Sequence, residues 1–269
     1  MTEKEWLACE ELLPMLYHLR GPGEGTNAAS TSYHSPRYGR FILHAGPSTH
    51  VSSRKCQLFA AACIRRYGYL THDVDCFAVA TAFEHFADRL MDPKELQDAY
   101  LARCQIMMQE AATRSSQAAS FAHFLMTPID AQGAGGKATS AAWMLAWARA
   151  GESVKQTCPD ADEEDHFAWS FFGGPPDAYW QETLRNEVRE QSELLRHIIG
   201  NPFRSYPAAA SWPALLVDLA RQLYDGGEVR LILHDALEDA GRADLAEHFR
   251  VEDWHPKGCW VLDSLLGKT

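Results

Sequence analysis

Three residues near the carboxyl end are of types that bind transition metals: His248, His255 and Cys259, set at steps of seven and four positions. Imidazole nitrogen and thiolate sulfur suit zinc, and three protein donors plus a water make a catalytic arrangement. On that reading the chain is a metal-dependent hydrolase. Cys56 or Cys63 could add a fourth donor only if the first long helix packs against the end of the chain. These steps match no established zinc spacing. The expectation is therefore that Cys259 packs in a core, that the histidines cap or hydrogen-bond, and that no metal or other cofactor is bound.

Other chemical motifs fail on spacing. Gly133-Ala-Gly-Gly-Lys137 invites a phosphate loop, but the first glycine of that motif would fall at Ala131, and Ala138 stands where Ser or Thr would bind magnesium. Glu163-Glu-Asp-His166 contains one Glu-x-x-His step, whereas a di-iron bundle needs two such steps and two further glutamates. There is no Gly-x-Ser-x-Gly elbow, and no cysteine stands in an evidently electropositive helix start. No catalytic residue is assigned, and the balance points away from an enzyme.

The elements that must position these residues are helices. Thr2 and Glu5 form a capping box, and Pro14 is expected to break the first nineteen residues into two short helices. Leu58, Phe59, Ala62 and Cys63 share a face in a helix from Ser53, and 73–90 repeats Phe77, Ala80, Phe83, Ala87 and Leu90. Asp92-Pro-Lys-Glu95 starts another helix. Asp177–Ile199 carries the strongest pattern, with Trp180, Leu184, Val188 and Leu195 inward, and Glu182, Arg185, Glu187, Arg189, Glu190 and Glu193 on a solvated face. Gly200 is placed for a left-handed C-terminal cap. Shorter helices follow: one from Ser211-Trp-Pro213 to Gly226, Glu228–Ala240 capped by Gly241, one from Ala243, and a last turn over Cys259–Leu266 that ends at Gly267.

Strand patterns are nearly absent, Arg40–His44 being the one segment that could form a strand. The fold expected is all-α, an irregular multi-helix bundle in a single domain over 1–269. A mobile loop inserted at 21–52 and irregular linkers at 127–139 and 152–176 interrupt it. The two ends of the chain are expected to share a core, with Leu58, Phe59 and Cys63 against Ile232, Leu237 or Trp260.

Composition narrows the function classes. The net charge is −11, from 36 acidic and 25 basic residues, and the basic ones are scattered. Duplex binders carry a basic stripe because phosphate neutralisation supplies much of their affinity, so nucleic acid is disfavoured. A nucleic-acid accessory role would need a folded patch of Arg37, Arg40, Arg65 and Arg66. The seven cysteines are an odd number without a Cys-x-x-Cys pair, which suits buried thiols in a reducing compartment. No basic-then-apolar leader is present at the start and no long apolar run follows, so the expected location is the cytoplasm, with no membrane contact.

Two stretches resemble an uncharacterised family of small helical proteins common in planctomycete-type genomes. One runs from Met1-Thr-Glu-Lys-Glu-Trp-Leu through Arg20-Gly21 to Ser53-Arg-Lys-Cys-Gln-Leu-Phe and Arg66. The other contains Leu194-Leu-Arg-His-Ile-Ile-Gly-Asn-Pro-Phe-Arg204 and Leu233–Gly241, and ends in Gly258-Cys-Trp-Val-Leu-Asp-Ser-Leu-Leu-Gly-Lys268. In that family Arg-Gly runs almost directly into Ser-Arg-Lys, so 22–52 reads as an insertion. The resemblance implies one helical fold and adds no mechanism. The function expected is a non-enzymatic interaction module or accessory subunit that docks on an unidentified protein partner. Tyr33, Tyr38 and Phe41 in the insertion, with Trp254 beside the final turn, are the candidate contact residues.

Overall fold

The computed structural model describes residues 1–20, 30–35, 39–44, 51–71, 74–92, 94–96, 98, 178–206 and 211–268. These are overwhelmingly α-helical. In chain order the elements are α1 (Glu3–Ala8), α2 (Leu12–Arg20), β1 (Ser30–Ser35), β2 (Gly39–His44), α3 (Ser53–Thr71), α4 (Val74–Ala87), α5 (Ala178–Ile199), α6 (Ala214–Tyr224), α7 (Arg230–Asp239), α8 (Ala243–Val251) and α9 (Trp260–Leu266). The linkers expected at 127–139 and 152–176 lie outside the described residues.

Local signals fix several boundaries. The Thr2 backbone N–H donates to Glu5 Oε2 at 2.7 Å, and the Glu5 N–H donates to Thr2 Oγ1 at 3.3 Å, closing the capping box that opens α1. A second box forms where Asp92 N–H meets Glu95 Oε2 at 2.9 Å and Glu95 N–H meets Asp92 Oδ1 at 2.8 Å. Pro14 stands inside α2 and does not divide it from α1. Only the first turn of a helix tolerates a residue without an N–H, and Pro14 is there.

The segment expected as an inserted loop at 21–52 contains a hairpin. β1 and β2 pair antiparallel with Ser30 opposite His44, Tyr33 opposite Phe41 and Ser35 opposite Gly39. The expected strand at 40–44 is present. Its partner was masked in the sequence by a Ser-rich composition that reads as loop.

Contacts divide the chain into two compact units. One holds Met1 with Ala8–Leu194, the other Thr2–Leu7 with Leu195–Thr269, and the division falls within α5. In the first unit α3 is buried from Leu58 through Ile64 and again at Tyr67, and α4 contributes Val79, Ala80, Phe83 and Ala87. The α3–α4 pair carries polar partners along its length. Arg65 Nη2 reaches Glu84 Oε1 and Oε2 at 2.9 Å and Thr81 Oγ1 at 3.2 Å, and Arg54 Nη2 meets Asp88 Oδ1 at 2.9 Å. Glu187, expected on the solvated face of α5, is buried against Arg66 at 3.2 Å. Burial raises its carboxyl above the usual range and the Arg66 guanidinium opposes that rise. Leu90, expected inside, is exposed beyond the end of α4.

The second unit joins the two chain ends, as expected, but through α1. Trp6 is fully buried there, and its indole N–H donates to the Gly200 carbonyl at 3.1 Å. α3 belongs to the other unit, and Ile232 is 57% exposed. The core instead draws on Leu216, Leu233, Leu237, Leu245, Phe249 and Leu262 from α6 to α9. Gly200, Gly241 and Gly267 all take left-handed backbone at the helix ends where the sequence placed them.

Gly200 carries a second constraint. With φ at +76°, an added Cβ would lie 2.9 Å from Trp260 Cγ, whereas the same atom at Gly241, φ +72°, meets nothing within 4 Å. Gly241→Ala should therefore cost only the backbone penalty, about 1–2 kcal/mol. Gly200→Ala should cost that and more, because the indole must move. Urea unfolding of the two variants checks the ordering.

Candidate metal centre

The carboxyl-terminal histidines and cysteine do come together, and a fourth residue joins them. His197, His248, His255 and Cys259 present ligand atoms that all lie within 4.8 Å of one another, and all four belong to the second unit. His248 Nε2 is 3.1 Å from Cys259 Sγ, and His255 Nδ1 is 3.9 Å from it. The three imidazole rings form a triangle, with centroid separations of 4.6 Å (197–248), 5.3 Å (197–255) and 5.1 Å (248–255).

Each side chain is brought in by a different local device. His197 sits in the last turn of α5, just before the Gly200 cap ends the helix. His248 is in the last turn of α8, beside Phe249, which is fully buried in the core. After α8 the chain crosses Glu252–Lys257 and turns through Gly258 at φ +91°. That turn carries Cys259 back to the N-cap of α9 with His255 alongside. The expectation that Cys259 packs in a core is met as well, since it is fully buried among the residues of that core.

His197 was not legible as a member. It lies far from the other three along the chain, and its neighbours Leu195 and Ile198 read as a helix face. Cys56 and Cys63, weighed as fourth donors, belong to the first unit. Burial pushes the Cys56 thiol up to about 11 and the fully buried Cys63 thiol well above its ordinary range, which disfavours the thiolate at both.

Electrostatics prepare the cluster to donate lone pairs. Burial, with the His255 ring adding to it, lowers the His248 pKa to about 3, and burial lowers His255 to about 4. Both imidazoles are thus neutral at pH 7, the form that binds metals. His255 also hydrogen-bonds to the backbone of Glu252, while its Nε2 is buried without a hydrogen-bond partner. A buried polar nitrogen left in this way costs about 1–3 kcal/mol unless something else satisfies it.

Against family models, curated proteins and solved structures, the chain finds no match. The arrangement must be read from its own atoms. Three nitrogens and one sulfur, with no carboxylate among them, are the donor types that suit a borderline-soft cation. A cation held by all four at once would have its tetrahedral positions filled by protein donors. The Cys259–His248 contact resembles a thiol–imidazole pair, but Cys259 is completely buried and offers a substrate no approach.

The depressed histidine values set a direction with pH. The unfolded chain takes up protons near pH 6.5, while the folded one refuses them until about pH 4 at His255 and about pH 3 at His248. Stability is therefore complete above pH 6.5 and falls as pH drops through that window. Urea midpoints of metal-free protein between pH 7.5 and 4.5 should decline steadily. His255→Gln should make that decline shallower.

Proposed function

We propose that this chain works by docking on another protein and not by catalysis. The observation that carries the reading is a corner of the second unit where apolar side chains stand exposed around one anchored arginine. Arg230 Nη1 donates to the carbonyls of Phe249 at 2.5 Å and Glu252 at 3.3 Å, and its Nη2 pairs with Asp253 at 3.0 Å. These bonds hold the start of α7 beside the end of α8. Leu231 and Ile232 are each 57% exposed on one side of that junction, with Val251 at 61% and Trp254 at 40% on the other. Trp254 is the contact residue expected from sequence. Tyr33 is paired with Phe41 in the backbone register of the hairpin, and Tyr38 lies outside the described residues.

The chemistry around that corner names the kind of partner. Asp235, Glu238, Glu252 and Asp253 are exposed close by in sequence, and Arg230 is already engaged by two carbonyls and a carboxylate. An apolar patch with an acidic rim suits a protein segment with apolar anchors and flanking lysines or arginines. The two other readings have less support. A metal-dependent hydrolase needs an open coordination position, which the four converging donors do not leave. A nucleic-acid role draws on Arg65 and Arg66, yet Arg65 is committed to Glu84 and Arg66 to Glu187 and Glu190. Arg37 lies outside the described residues. No helix among the described residues is long and apolar enough to cross a membrane.

Crosslinking mass spectrometry on protein purified from its native host tests this reading. Crosslinks should join Lys257 and the N-terminus of the partner-bound chain to a basic, apolar-anchored segment. Leu231→Asp with Trp254→Ala should abolish the complex while leaving far-ultraviolet circular dichroism unchanged. Rising salt should weaken the wild-type complex. A complex that survives the double substitution intact would sink the proposal.

A further inference from the structure

We propose that His197, His248, His255 and Cys259 bind one zinc ion in a closed tetrahedral site that holds the two ends of the chain's second unit together. Nothing in the docking reading requires this ion, and the two proposals fail separately.

The geometry fits without rearrangement of the backbone. Tetrahedral zinc, with Zn–N about 2.0–2.1 Å and Zn–S about 2.3 Å, sets its ligand atoms roughly 3.3–3.6 Å apart. The His248 Nε2 to Cys259 Sγ separation of 3.1 Å is already near that spacing. The widest separation in the set, within 4.8 Å, closes by small rotations about side-chain bonds. One nitrogen from each histidine and the sulfur of Cys259 suffice, so no donor has to be brought from elsewhere.

The donor types choose the metal. Absence of any carboxylate in the set disfavours magnesium and calcium, which prefer oxygen. Three imidazoles and one thiolate match zinc in softness and coordination number. On binding, Cys259 loses its thiol proton to solvent and the imidazoles remain neutral, so the site gains two positive charges and one negative. No oxidation or reduction takes place.

His255 supplies the independent observation. Its ring is held at the Glu252 backbone, and its Nε2 is buried with no hydrogen-bond partner. Metal-bound histidines are ordinarily held by such an outer partner on the second ring nitrogen. As a core side chain, His255 keeps that buried nitrogen unsatisfied.

The consequence is a cross-link between distant parts of the sequence. His197 precedes the Gly200 turn that receives the Trp6 indole, while His248, His255 and Cys259 lead into α9. A metal that closes a long loop removes conformational freedom from the unfolded chain. Zinc binding to the folded unit is accordingly also folding free energy.

The test uses the full chain, stripped with chelator and titrated with Zn²⁺ and, separately, Co²⁺. One equivalent of Zn²⁺ should bind and raise the thermal midpoint. One equivalent of Co²⁺ should give the intense visible bands of tetrahedral cobalt and a near-ultraviolet sulfur-to-cobalt band. Cys259→Ser should abolish that sulfur band, and Cys56→Ser should leave it intact. His197→Gln should weaken zinc by more than the roughly 10–100-fold lost when a ligand's outer partner is removed. Binding that survives unchanged in both Cys259→Ser and His197→Gln would overturn the proposal. Should a variant fail to fold, the wild-type cobalt spectrum alone decides. Weak octahedral bands without a sulfur band, or uptake far below one equivalent, refute the site.

Discussion

α5 ends where Gly200 turns left-handed, and the Trp260 ring lies where a side chain on that residue would have to be. The same residue's carbonyl accepts the Trp6 indole N–H, and the Trp6 carbonyl in turn accepts from Arg196 Nη1 at 3.4 Å. Glu3 Oε1 reinforces the junction, accepting from Asn201 Nδ2 and from Arg204 Nε, each at 2.6 Å. One residue without a side chain thus lets α1, the end of α5 and the start of α9 meet. Its position also decides where His197 points, since that side chain stands within the last turn before the cap. A bulkier residue at 200 would displace the ring below it and shift the fourth donor away from the other three.

How far the sequence disclosed this depends on the range over which each feature is set. Capping at Thr2 and Glu5, the Asp92 box and the glycine stops at 200, 241 and 267 involve residues a few positions apart, and those were readable. Side chains whose surroundings come from other helices were not. Glu187 looks solvated beside Arg185 and Arg189, until Arg66 arrives from α3 and buries it. Ile232 sits in a correct apolar rhythm, yet the helices that cover Leu233 and Leu237 leave its own side uncovered. His248, His255 and Cys259 could be grouped because they share one short stretch, while His197 required the folded path of α5.

The two units hold their polar groups by different means. In the first, Arg54, Arg65 and Arg66 stretch along α3 and neutralise carboxylates on α4 and α5, each pair mostly removed from water. Such pairs contribute little net stability because desolvation offsets attraction, but losing one partner strands a charge at a cost of about 3–5 kcal/mol. They therefore fix which faces of the helices meet. The second unit buries neutral imidazoles and a thiol instead, with its arginines at the periphery. Arg242 lies over the Trp212 ring at 4.9 Å and pairs with Asp244, and Lys257 and Lys268 both lie over Tyr224 at 4.6 and 4.0 Å.

Because Thr2–Leu7 belongs with Leu195–Thr269, the order of synthesis runs against the order of assembly. The carbonyl that receives the Trp6 indole is made 194 residues after Trp6 itself. At translation speeds of about 5–20 residues per second, that gap lasts on the order of 10–40 s. Throughout it the six residues that become α1 carry a large aromatic side chain whose acceptor has not yet been made. Six or so residues cannot hold helical form unaided over that time. Folding of this unit therefore closes only after the end of α5 and the residues that follow it have been made.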